Sequence, residues 1–117
     1  MDKLQYINLI KPDSVKQDMN INEIETIINK IISSYNEFLI DTTSDTKRRF
    51  IRYLMDKKNR WEMMFIIFRN NNPQLIDEYE YKLISYFINN HKNKNRPGNP
   101  LPSNKTRHHN YIFVLAR

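Results

Sequence analysis

In "NINEIETIINKIISSYNEFL" the residues Ile21, Ile24, Ile27, Ile28, Ile31, Ile32, Tyr35 and Phe38 recur at steps of three and four. This spacing lines one face of an α-helix and predicts an amphipathic helix with an isoleucine stripe toward a core. Asn22 and Glu25 are read as its N-cap and reciprocal partner. Upstream, "LQYINLI" is a short element of undecided type, closed by Lys11-Pro12, and Asp13 to Asn20 reads as a linker or turn. After the helix, "EFLIDTT" is short and apolar-centred, which predicts a strand.

Ser44 and Asp45 can cap a following helix, "TKRRFIRYLMDKKNR". The wheel puts Phe50, Ile51 and Leu54 on one side, Arg48 and Arg52 away from it, and Arg49 on the flank beside Tyr53. "WEMMFIIFR", Trp61 to Arg69, is a continuous apolar run that suits a central strand. "NNNPQLIDEYEYKLISYFINN" opens with Asn72 as N-cap and Pro73 as first helical residue, the usual arrangement at a helix start. Leu75, Ile76, Tyr79, Leu83, Ile84 and Phe87 form its apolar stripe. His91 to Asn110 reads as a long loop, and a loop of that length in a small domain is generally functional or disordered. "YIFVLAR" closes the chain as a β-rich segment that needs an internal strand to pair with, and the expected partner is the strand around Leu39 and Ile40. These elements predict one domain over 1–117 of the α/β (α+β) class. A small antiparallel or mixed sheet of about three strands packs against three helices, with a helical part over 1–37 and a core over 38–117.

Glu80 breaks the pattern of its helix. It lies four residues after Ile76 and four before Ile84, inside the apolar stripe, where a carboxylate must be paired, bound to metal or protonated. Two readings stay open: a salt bridge to Arg49 or Arg69, or a metal or catalytic carboxylate.

Composition narrows the chemistry. The chain has no cysteine and three histidines (His91, His108, His109) without zinc-ligand spacing, which argues against a disulfide framework or a structural zinc. The apolar run at the start is too short for a signal or a membrane span, so the expectation is an intracellular protein, cytoplasmic or nuclear. The net charge of +6 is unevenly spread: residues 41–60 carry seven Lys/Arg against three Asp/Glu, and 91–117 carry six against none. Two cationic blocks are the footprint of a nucleic-acid protein, with simple solubility as the alternative.

The series of strand, polar turn, "KRR" helix, tryptophan-led strand and glutamate-bearing helix resembles the GIY-YIG nuclease superfamily. By this resemblance Leu39-Ile40-Asp41 lies where Tyr-Ile-Gly would be, and Arg49, ten positions after Leu39, is in register with the family arginine. Glu80 in "EYKLISYF" matches the metal-binding glutamate, and Asn95 in "NRPGN" the asparagine beyond it. Tyr111-Ile112-Phe113 lies over Gly-Ile-Tyr, which would make the chain a circularly permuted relative. Both motif tyrosines are replaced, by Leu39 and Phe113, and the glycine by Asp41. Tyr35, Tyr53, Tyr111 and His109 are the candidates to replace the tyrosines that position or deprotonate the attacking water.

The resemblance implies divalent-metal-dependent phosphodiester hydrolysis. Glu80 would hold Mg²⁺ or Mn²⁺, Arg49 would clamp the phosphate, and the two would share one groove. Asn95 would complete the catalytic set. Lys47, Arg48, Arg52, Lys57 and Lys58, with Lys92, Lys94, Arg96, Lys105 and Arg107 from the loop, would contact a nucleic-acid backbone, DNA before RNA, without reading sequence. The alternative is a catalytically degenerate relative that binds nucleic acid or serves as an interaction subunit. In a purely structural protein, the isoleucine face or the edge of "YIFVLAR" would be the docking surface.

Overall fold

The computed structural model describes residues 4–10, 19–95 and 110–117. Within them the elements run β1 (Gln5–Asn8), α1 (Ile21–Ile32), β2 (Phe38–Thr43), α2 (Thr46–Leu54), β3 (Met63–Arg69), α3 (Pro73–Phe87) and β4 (Tyr111–Ala116). The strands form one sheet in the order β1-β3-β4-β2. The class is α+β, as expected, but the sheet has four strands where about three were expected, because "LQYINLI" contributes β1. That strand lies parallel to β3, with Tyr6 opposite Met64, while β4 is antiparallel to both β2 and β3. The sheet is therefore mixed.

The C-terminal strand has the partner its sequence requires. Leu39 faces Leu115 and Ile40 faces Val114, and on its other side β4 pairs with β3. With both edges bonded, Ile112 to Ala116 are all buried. "YIFVLAR" therefore offers no docking edge. The isoleucine face is likewise occupied, since Ile24, Ile28 and Ile32 are core.

The strand period of two sorts side chains to two faces. On one face Phe38, Ile40, Ile112 and Val114 pack with Ile24 and Ile28 of α1 and Ile76, Leu83 and Phe87 of α3. On the other, Met64, Ile66, Phe113 and Leu115 pack with Leu4, Ile10 and Trp61, and Phe50 and Tyr53 of α2 cover them in part. The register shifts between Ile66 and Phe68. This bulge sets Ile67 and Phe68 on the same face, where strict alternation would have separated them.

Caps follow local chemistry with one displacement. Asn20, not Asn22, caps α1: its side chain accepts from Glu23 N while the Glu23 carboxylate accepts from Asn20 N. Asn22 sits inside the first turn, where its carbonyl accepts from the Thr26 hydroxyl. Asp45 caps α2 and Asn72 caps α3 ahead of Pro73.

The outer edge of β2 is covered rather than open. Phe38 N donates to Lys92 O (2.9 Å) and Lys94 N to Phe38 O (2.8 Å). Asn95 continues this run with its side chain, accepting from Ile40 N and donating to Ile40 O, each at 2.9 Å. The segment 92–95 thus occupies backbone groups that would otherwise be free to pair with another strand.

Candidate functional site

Asp41 and Thr42 are neighbours on β2 and so point to opposite faces of the sheet. Asp41 stands opposite Phe113 and Thr42 opposite Ile112, which belong to the two different core clusters. The arginine and the glutamate that the resemblance unites are each tied to one of these two residues. Arg49 Nη1 donates to Asp41 Oδ2 at 2.9 Å, whereas Glu80 Oε1 accepts from the Thr42 hydroxyl at 3.3 Å. Arg49 and Glu80 therefore lie on opposite sides of the sheet. The expectation of a shared groove is corrected, and so is the salt bridge between them.

Glu80 is 5 % exposed. A Mg²⁺ or Mn²⁺ ion held by one carboxylate keeps several waters, and so deep a position against Thr42 does not suit that hydrated ion. Among the described residues no group of three His, Asp or Glu could hold a metal.

On the α2 side, Asp41 organises a polar cluster. Its Oδ1 accepts from Thr42 N (2.8 Å), and its Oδ2 accepts from Arg49 and from the Tyr53 hydroxyl (3.1 Å). Burial alone would lower the Arg49 pKa, but the Asp41 carboxylate and then Tyr53 outweigh it and raise it. Burial, followed by the charge of Asp41, pushes Tyr53 up to about 12. The phenol thus stays protonated as a donor at neutral pH, which suits support of Asp41 and not deprotonation of water. Of the other candidate tyrosines, Tyr35 packs edge-on against Phe65 and Tyr111 lies under the Arg69 guanidinium. His109 lies outside the described residues. An open depression of about 450 Å³ adjoins the cluster, lined by Asp41, Arg49, Arg52, Tyr53 and Asp56. Two carboxylates and two guanidiniums leave it without the single-sign field that a phosphate clamp needs.

The loop-proximal candidates have structural partners. Lys92 Nζ donates to Ile32 O at the end of α1 (3.0 Å), where a cation favours the helix terminus. Lys94 pairs with Glu37 at 2.8 Å, and Arg117 bonds the other oxygen of the same carboxylate at 2.7 Å. Hydrogen bonds from Lys94 and then Arg117 hold the Glu37 carboxyl below its ordinary range. Asn95 is spent on the edge of β2. Arg96, Lys105 and Arg107 lie outside the described residues.

Lys47, Arg48, Arg52, Lys57 and Lys58 behave differently. All are exposed on α2 and the turn after it. Among the described residues Lys47, Arg48, Arg52 and Lys57 make no ion pair. The turn itself is held by Asp56, whose carboxylate accepts from Lys58 N, Asn59 N and the Asn59 amide. Those bonds, the Asn59 side chain first, lower the Asp56 pKa. Arg60 closes the turn with a left-handed φ of 52°.

The helical wheel of α2 places Ile51 and Leu54 inward with Phe50, and the structure corrects this. Phe50 and Tyr53 face the sheet, while Ile51 and Leu54 are 55 % and 47 % exposed. Edge-on ring contacts of Tyr6 with Phe50 and Tyr53 with Phe113, and the bond between Tyr6 Oη and Thr46 Oγ1 at 2.9 Å, set this rotation. A tyrosine four residues after an arginine is a visible signal in the sequence, but only the sheet shows which strand residue receives both.

Comparison with family models, with curated proteins and with solved structures found no match to this chain. The reading of its function rests on the geometry above. No helix among the described residues is long and apolar enough to cross a membrane.

Proposed function

We propose that this protein is a non-catalytic binding module for a nucleic-acid backbone, and that α2 with its following turn is the contact surface. The observation that carries the reading is the set Lys47, Arg48, Arg52, Lys57 and Lys58, exposed together on one helix and turn. Such cations exchange condensed counterions for phosphates, which drives association without sequence readout. The hydrolytic chemistry that the resemblance implies is given up in this reading. Hydrolysis requires the phosphate clamp and the metal carboxylate within one site, and the sheet stands between Arg49 and Glu80.

Purified protein should bind a labelled DNA duplex at low salt and leave a supercoiled plasmid intact in Mg²⁺ or Mn²⁺. Nicking that disappears in Glu80→Gln would restore the nuclease reading, and absence of binding at low salt would reduce the charge to solubility.

A further inference from the structure

The outer crest of α2 is apolar, and phosphate contact does not account for it. Ile51, Leu54 and Met55 are 55 %, 47 % and 73 % exposed, and their spacing of three and four places them side by side on one helix surface. Of the other exposed large apolar or aromatic residues among those described, Leu9 follows β1 and Tyr81 and Tyr86 lie on α3. The helix thus carries two apolar stripes, one closed against the sheet through Phe50 and Tyr53 and one facing solvent. Around the outer stripe stand Lys47, Arg48 and Arg52. An apolar centre with a charged rim is the anatomy of a protein interface.

The chemistry of the rim selects the occupant. A second copy of this chain would set the same cations against each other, in a molecule of net charge +6. A phosphate backbone would neutralise the rim but bring nothing apolar to the crest. A partner that satisfies both has carboxylates outside and apolar side chains between them. We propose that the outer face of α2 docks an acidic amphipathic segment of a partner protein, its Asp or Glu side chains on Lys47, Arg48 and Arg52 and its apolar residues on Ile51 and Met55. Because the cations are shared with the proposed nucleic-acid surface, the two ligands compete. Peptide binding nevertheless stands or falls independently of nucleic-acid binding.

Fluorescence anisotropy with two synthetic probes tests this. One is a peptide with leucines at helical spacing between glutamates, and the other is the same peptide with every leucine replaced by serine. The leucine peptide should bind the more tightly. The double variant Ile51→Ser, Met55→Ser should lose that preference, a change on the order of tenfold, while its affinity for duplex DNA stays as in the wild type. Both positions are exposed, so a circular dichroism spectrum and melting curve like the wild type's should accompany the loss. Charge reversal at Arg48→Glu and Arg52→Glu should weaken both ligands. Equal binding of the two peptides, or no binding of either, would overturn the proposal. So would binding to phosphatidylserine vesicles but not to the leucine peptide, or a concentration-dependent dimer that Ile51→Ser abolishes.

Discussion

Replacing Asp41 with alanine should loosen α2 from the sheet more than removing the guanidinium that it holds on the helix. The carboxylate receives three donors from three places: Thr42 N, Arg49 Nη1 and Tyr53 Oη. The Arg49 and Asp41 side chains are 20 % and 30 % exposed, between a surface pair, worth about 0.2–1 kcal/mol, and a buried one, whose breakage costs about 3–5 kcal/mol. An intermediate figure of about 1.5–2 kcal/mol for the stranded guanidinium, plus about 0.5–1 kcal/mol for the Tyr53 hydrogen bond, totals roughly 2–3 kcal/mol. For a domain of this size that corresponds to a fall in Tm of about 8–15 °C. Arg49→Met should cost less, about 1 kcal/mol, because the stem remains packed and Asp41 keeps two donors. Thermal and urea unfolding of the two single variants and the double variant close a cycle whose coupling should be about 1–2 kcal/mol. An Asp41→Ala protein within about 0.5 kcal/mol of the wild type, inside the usual range for surface changes, would refute the reasoning.

Tyr53, pushed up to about 12 by burial and then by the charge of Asp41, should ionise late in an alkaline titration. Its folded pKa lies above the unfolded value near 10, so its contribution is complete below about pH 10 and is lost as pH rises toward about 12. An ultraviolet titration in which Tyr53→Phe removes no late-ionising group would contradict this. Thr42→Val keeps the shape of a residue only 1 % exposed but withdraws a donor from buried Glu80, and should destabilise by about 1–2 kcal/mol in urea; an unchanged midpoint would refute it. Asn95→Ala removes two bonds to Ile40 and should cost about 1–2 kcal/mol, with faster hydrogen exchange at the Ile40 amide as its local signature; unchanged exchange there would rule out the edge-covering role.

The elements with one strong pattern could be read directly from the chain. The isoleucine spacing of α1, the Asn72-Pro73 start of α3 and the unbroken apolar run of β3 each point to one structure, and an apolar C-terminal strand had to pair internally. Elements with two patterns could not be resolved that way. In α2, Ile51 and Leu54 compete with Phe50 and Tyr53 for the inward face, and the choice depends on ring contacts to Tyr6 and Phe113 on strands β1 and β4. Asn20 and Asn22 each have a glutamate three residues on, Glu23 and Glu25, so both read as competent caps in the sequence. The candidate site failed for a sharper reason. One peptide unit separates Asp41 from Thr42, and that unit moves a side chain from one face of the sheet to the other, so Arg49 and Glu80, which the resemblance had paired, came out on opposite sides. Asn95, Lys92 and Lys94 gave no sign in the sequence that they close the edge of β2 and the end of α1.

Whether α2 and its turn are the nucleic-acid surface is decided by the salt dependence of DNA binding. Kd for a labelled duplex, measured across a range of NaCl concentrations, gives a log–log slope that reports how many phosphates the protein neutralises. Lys47→Gln, Arg48→Gln, Arg52→Gln and Lys57→Gln combined should flatten that slope by about 0.9 for each phosphate no longer neutralised and weaken binding at every salt concentration, while Glu80→Gln keeps the wild-type slope. A quadruple variant with the wild-type slope, or a Glu80→Gln protein that loses binding, would contradict the assignment of this surface.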